Sequence, residues 1–224
     1  MRRLTALRRI GAAAMLVSAC VCADVAGAAS DAPAPAPQTQ DREGGQGSSQ
    51  APTDDQSAPQ SPEDRDKALV RLYDRLAKAS DEAEATTIRA GIRQLWTATG
   101  SATIDLLLQR DGQAALAHDP TLRRQLLDAA SKLSPGTAEI WNRRAGLDYG
   151  DLHFDAALAD LARVLAIDPR HFEALEALGG ILRETGHDAL ALKALRRLKL
   201  VNPTAANLQQ EIDDLTRKVE GQKI

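Results

Sequence analysis

Cysteine is nearly missing from this chain of 224 residues: Cys20 and Cys22 are the only two. Both fall in a leader expected to be removed, so a mature form has neither disulfide nor thiol chemistry and must hold together by packing. Charge of one sign is missing too. The formal net charge is −3, and from residue 65 onward acidic and basic side chains balance. That leaves no basic face of the kind nucleic-acid binding asks for. No apolar run reaches the roughly 18 to 20 residues of a membrane-spanning helix. Nor do Val, Ile and Thr alternate with polar residues over a strand's length, so no sheet is expected and the fold class is all-α.

What is present begins with an address. "MRRLTALRRIGAAAMLVSACVCADVAGAAS" opens on Arg2, Arg3, Arg8 and Arg9, continues apolar to about Cys22 and ends in small residues. This layout predicts a secretory signal peptide over 1–28, with Ala26-Gly27-Ala28 as the cleavage site. An alternative stays open at the same place. Val17-Ser18-Ala19-Cys20 resembles the lipobox of bacterial lipoproteins, which would make Cys20 a lipidated first residue and a membrane anchor. Residues 29–62 are rich in Pro, Ala, Gln, Gly and Ser and hold no large apolar side chain. Nothing there offsets the entropy of ordering, so a disordered linker is expected.

From residue 63 the punctuation is helical. Ser61-Pro62-Glu63-Asp64 offers an N-cap with proline behind it, and Leu69, Leu72, Tyr73 and Leu76 recur at helical spacing. The pattern predicts helices near 63–79, 82–98, 102–116, 120–133, 137–149, 154–167, 171–185, 188–200 and 204–220. Proline cuts this pattern at a fixed interval. A helix interior loses roughly 3 kcal/mol to proline, and Pro135, Pro169 and Pro203 stand at one spacing of 34. Trp141 and Leu175 share that spacing, as do Ala157 and Ala191.

A period of 34 with these residues resembles the tetratricopeptide repeat, a helix-turn-helix unit. Leu175-x-x-Leu178-Gly179-x-x-Leu182, Gly186, Ala191-x-x-x-Leu195 and Pro203 match one unit; Trp141, Ala157-x-x-x-Leu161 and Pro169 match another. These two clear units occupy 136–203. Upstream, 63–135 reads as degenerate pairs: Leu107, Leu127, Ala130 and Pro135 fit, while Arg123 stands at a small-residue position and Asp111-Gly112 sits inside the first helix. Tyr73 with Leu76-Ala77 looks like a further decayed copy. Residues 204–224, with Leu208, Ile212, Leu215 and Val219 on one stripe, form a capping helix. "RQLWTATGSATIDLLLQR", "EIWNRRAGLDYG" and "RVLAIDPRHFEALEALGGILRETG" also resemble secreted tetratricopeptide proteins of Gram-negative bacteria. The resemblance implies a right-handed superhelical solenoid in a periplasmic or secreted setting.

No catalytic constellation stands out. Ser101, Ser131 and Ser134 lack a G-x-S-x-G context, and Gly179-Gly180, read as helix-packing glycine, belongs to no phosphate-binding pattern. His118, His153, His171 and His187 read as exposed turn histidines; His153 and His187 stand one unit apart, too far to share a zinc ion. No cofactor or metal is expected, and binding remains as the chain's work. In the resembled repeat, the second, fifth and twelfth positions of each first helix meet the ligand. Here they are Glu139, Asn142 and Tyr149, then Glu173, Glu176 and Arg183. A protein or peptide partner is expected, and not a C-terminal carboxylate, because the cluster of Lys, Arg and Asn that would clamp one is missing. Arg110 and Arg144 stand where leucine is usual and should be paired with Asp111, Asp148 or a carboxylate of a neighbouring helix.

Overall fold

The computed structural model describes residues 61–221; the expected leader, Cys20 and the linker up to residue 60 lie outside them. Among the described residues there are nine α-helices and no strand: α1 (Pro62–Leu76), α2 (Glu82–Thr97), α3 (Ala102–Leu116), α4 (Pro120–Leu133), α5 (Ala138–Gly150), α6 (Phe154–Ile167), α7 (Phe172–Glu184), α8 (Asp188–Val201) and α9 (Leu208–Gly221). The starts follow from capping chemistry. Ser61, Asp81 and Asp119 each accept a hydrogen bond from the amide three residues on, and Pro62 and Pro120 fill first-turn positions that need no donor. Pro62, the last residue of the expected linker, is therefore already the first residue of α1, with Ser61 as its cap. At the other end, α9 starts at Leu208 and not at 204, because Asn207 takes a left-handed conformation (φ 59°).

The repeat is written in the backbone. His118, Leu152 and Gly186 all have positive φ, at 52°, 61° and 79°, and they stand 34 residues apart in the turns α3–α4, α5–α6 and α7–α8. Each turn closes the same way: the amides of Asp119, His153 and His187 donate to the carbonyls of Ala114, Asp148 and Leu182. This six-residue closure is a Schellman motif, which a left-handed residue makes possible. The turns between units repeat as well, with Ser134, Asp168 and Asn202 donating to Ala130, Val164 and Leu198. So α3–α4, whose sequence is degenerate, has the geometry of α5–α6 and α7–α8.

Within each unit, one point of close approach is solved in two ways. In the last unit, a Cβ built on Gly179 would lie 2.6 Å from Leu195 Cδ2, so only hydrogen fits. The middle unit has Ala145 at the position of Gly179 and Ala157 at that of Ala191, both buried in one cluster. In the first unit those positions are Asp111 and Arg123, and they form an ion pair of 2.9 Å with the Asp111 side chain almost wholly buried. The unit survives because charge pairing replaces small size. Asp111 is shared with Arg143 of α5 at 3.1 Å, which ties the first unit to the second.

Pairing meets the expectation for Arg144 and corrects it for Arg110. Arg144 is held by Asp160 of α6, with contacts of 2.6 and 2.8 Å, and by Asp128 of α4 at 3.4 Å; its guanidinium and that of Arg163 lie over the Trp141 ring. Two neighbouring helices, α6 and α4, supply its carboxylates, whereas Asp148 goes to Arg124 at 2.7 Å. Arg110 is exposed and pairs with no carboxylate among the described residues, since Arg123 and Arg143 take Asp111. Of the Gly179-Gly180 pair, only Gly179 is a packing glycine: a Cβ on Gly180 would meet nothing within 4 Å.

The unit stack runs α3–α4, α5–α6, α7–α8 and ends on α9, whose Leu208, Ile212 and Leu215 are buried. Lys218 holds Asp188 at 2.6 Å across the α8–α9 boundary. The first helix pair behaves differently. α1 and α2 pack on each other, but they do not extend the stack beyond α3 as a decayed copy would. Instead they turn back onto α5 and α8, and their Tyr73, Leu76, Ile88, Ile92 and Trp96 join the core of Phe172, Leu175 and Leu198. The separate α3–α4–α5 core of Ile104, Leu108, Leu127 and Ile140 contains nothing from α1 or α2.

Candidate partner-binding groove

α5 packs on α7 more closely than α6 does on α8, which puts α5 and α7 on the inner side of those two units, and α3 is joined to α5 by the side chain of Arg143. Side-chain bonds lock these helices together. Arg143 of α5 reaches the Leu108 carbonyl of α3 at 2.9 Å; Asn142 donates to Glu173 of α7 at 3.2 Å; Tyr149 donates to Glu184 of α7 at 2.8 Å. The inner face is therefore a continuous, hydrogen-bonded floor.

The six residues singled out from sequence occupy different places on it. Glu139 is buried, with its carboxylate 2.6 Å from Arg143 and 3.7 Å from His171 Nε2. Burial opposes its charge, but His171 and Arg143 outweigh that and hold its pKa below the usual carboxylate value. Asn142 is half-buried and bridges Glu139 and Glu173. Glu173 pairs with Arg93 of α2 at 2.6 Å. Glu176, Tyr149 and Arg183 are exposed, and Arg183 leans to Glu211 of α9 at 3.1 Å. Loss of water around the Glu176 carboxyl, then the charges of Glu173 and Glu211, push its pKa up.

One feature of the floor went unread in the sequence. Gly112, Gly146 and Gly180 stand 34 apart in α3, α5 and α7, and a Cβ added to any of them would meet nothing within 4 Å. By helical spacing each shares a face with the candidate residues one and two turns earlier, Asn142 and Glu139 for Gly146, Glu176 and Glu173 for Gly180. A glycine inside a helix costs roughly 1 kcal/mol relative to alanine, and internal packing asks for none of these three. Their shared interval was the available signal. Beside Gly112 an open cleft is lined by Thr97, Asp105, Leu108, Gln109 and Arg143.

The histidines divide. His118, His153 and His187 are exposed as expected, but His171 is fully buried. Its Nδ1 accepts the Ala174 amide and caps α7, which places the neutral ring's proton on Nε2. The ring stacks on Trp96 at 3.8 Å and 6°. No group of three metal-ligating side chains gathers among the described residues, and no helix there is long and apolar enough to cross a membrane.

Comparison with known proteins agrees with the helical repeat. No family model matches the chain. A TPR repeat-containing protein of Rhizobium etli is 35% identical over 167 residues, covering 75% of this chain and 80% of the relative. That identity, spread over most of both chains, and three turns of one geometry at the repeat interval lead to one conclusion: the chain belongs to the tetratricopeptide-repeat family.

Proposed function

We propose that this protein is a non-enzymatic scaffold of the bacterial cell envelope, holding a protein or peptide partner against the inner face of α3, α5 and α7. Interaction with other proteins is the usual work of the repeat. The observation that carries the reading to this face is the row Gly112, Gly146 and Gly180, which keeps the floor low without serving the protein's own packing. Asn142, Tyr149, Glu176 and Arg183 surround that row with donors and acceptors, and an extended backbone or a helix can approach it closely. The envelope setting rests on the layout of the first 28 residues.

Crosslinking pull-downs from envelope extracts test it. Asn142→Ala combined with Tyr149→Ala abolishes capture of the partner while far-UV circular dichroism is unchanged. Gly146→Leu also abolishes capture, yet raises thermal stability, because leucine is the better helix former and has room. Capture that survives both changes refutes the groove. A second reading, an envelope assembly factor that self-associates or is tethered through lipidated Cys20, follows from Val17-Ser18-Ala19-Cys20. Mass spectrometry of the mature N-terminus separates the two: a free Ala29 removes the tether, and an acylated Cys20 establishes it.

A further inference from the structure

The α1–α2 pair is tied to the rest of the fold by a seam of mixed quality. At its rim are polar ties: Tyr73 donates to Asp168 at 2.5 Å, Arg170 pairs with Asp74 at 2.9 Å, Arg93 pairs with Glu173 at 2.6 Å, and Arg89 reaches Asn202 at 3.3 Å. Behind them the fit is incomplete. Three buried side-chain polar atoms among the described residues have no hydrogen-bond partner, and two of them, Trp96 Nε1 and His171 Nε2, lie in this seam. A cavity of about 430 Å³ separates Leu69, Val70 and Tyr73 of α1 from Thr137, Ala138 and Glu139 at the start of α5 and from Asp168 and Arg170. Buried polar groups without partners weaken a contact, and the cavity, a cleft open to solvent, leaves that part of the seam unmade.

The pair itself is better made than its seam. α1 and α2 contact each other far more extensively than either contacts α5 or α8. Its Tyr73, Leu76, Ala85 and Ile88 belong to the same cluster as Phe172, Leu175 and Leu198, so swinging away exposes part of a shared core. Its tether to α3 is the four-residue turn 98–101, where Gly100 sits at φ +82° and two bonds of Thr99 to Asp105, at 2.8 and 2.7 Å, pass across it, so a hinge here has those bonds to break.

We propose that α1–α2 is a strap that undocks as a unit from the α5–α8 edge, hinging at Gly100 and uncovering Glu139, Phe172 and Glu173 at one end of the groove. The physical basis is a helix pair more extensively packed on itself than on α5 or α8, along a seam that leaves two buried polar atoms unpaired beside an open cleft. What the uncovered end does rests on the groove reading above: Glu173, released from Arg93, becomes available to a partner. The undocking itself stands apart from any partner.

Hydrogen exchange on the unmodified chain measures it directly. Amides of 62–97 exchange as one block, faster than those of α7 and α8, although all share one hydrophobic cluster. Fluorescence gives a second measure, since Trp96 and Trp141 are the only tryptophans. In urea, Trp141→Phe reports the seam through Trp96, and Trp96→Phe reports the stack through Trp141. The Trp96 midpoint lies at lower urea, and Arg93→Ala lowers it further while leaving the Trp141 midpoint in place. Exchange of 62–97 in step with α7 and α8, or midpoints that coincide and shift together in Arg93→Ala, overturns the strap and leaves the groove reading to its own pull-down test.

Discussion

Leu152 shows the repeat at the scale of a residue. Its φ of 61° is held for the Schellman closure that Gly186 makes freely, and its side chain is 72% exposed. A non-glycine residue in that region costs about 1–2 kcal/mol, part of which glycine returns through the entropy it loses on folding. Leu152→Gly therefore raises stability by about 0.5–1 kcal/mol, read as a higher midpoint in urea. Glu176 carries a second prediction. Burial and the charges of Glu173 and Glu211 hold its folded pKa above the ordinary carboxylate value, so as pH rises the unfolded chain gives up this proton first and folding is penalised. The penalty is absent below the unfolded pKa and complete above the folded one. Glu176→Gln accordingly raises the thermal midpoint at pH 7 and leaves it unchanged near pH 3.

For the helix pair, distance of approach decides what a side chain can be. Gly179 and Gly146 occupy similar helices and are both glycine, but only one is constrained. A Cβ at Gly179 runs into Leu195, itself buried, whereas one at Gly146 points into open space. Gly179→Ala destabilises by about 1–3 kcal/mol through overpacking, less the gain in helix propensity. Gly146→Ala stabilises by about 1 kcal/mol from propensity alone. Thermal melts of the two variants move in opposite directions. The Asp111–Arg123 pair shows the same site solved with charge, which is why a consensus of small residues undercounts the units of this chain.

Across the whole molecule, stacked units need ends. α9 covers one with Leu208, Ile212 and Leu215 while turning its charged face outward. A chain ending at residue 206 leaves the α8 side of that core open, and gel filtration of it shows more self-association than the full chain does. The other end of the stack, α3, is not covered by the helices that precede it. They lie across the edge of the later units and make the Tyr73–Asp168 and Arg93–Glu173 contacts over 95 and 80 residues of sequence.

The sequence by itself determined the helices, most of their caps and the interval of 34, because each is set by neighbours within a turn or by one motif copied along the chain. It also carried the unit identity of 136–203, through Trp141, Ala157, Pro169 and their counterparts. The tertiary structure alone decided that α1–α2 turns back on α5 and α8, that His171 is buried under Trp96, and that Arg143, not Arg110, takes Asp111. Those outcomes depend on single contacts between distant segments, which leave no period in the chain. The glycine row lies between the two cases: its interval was present in the sequence, but only the empty space around each Cβ separates it from the packing glycine one residue away.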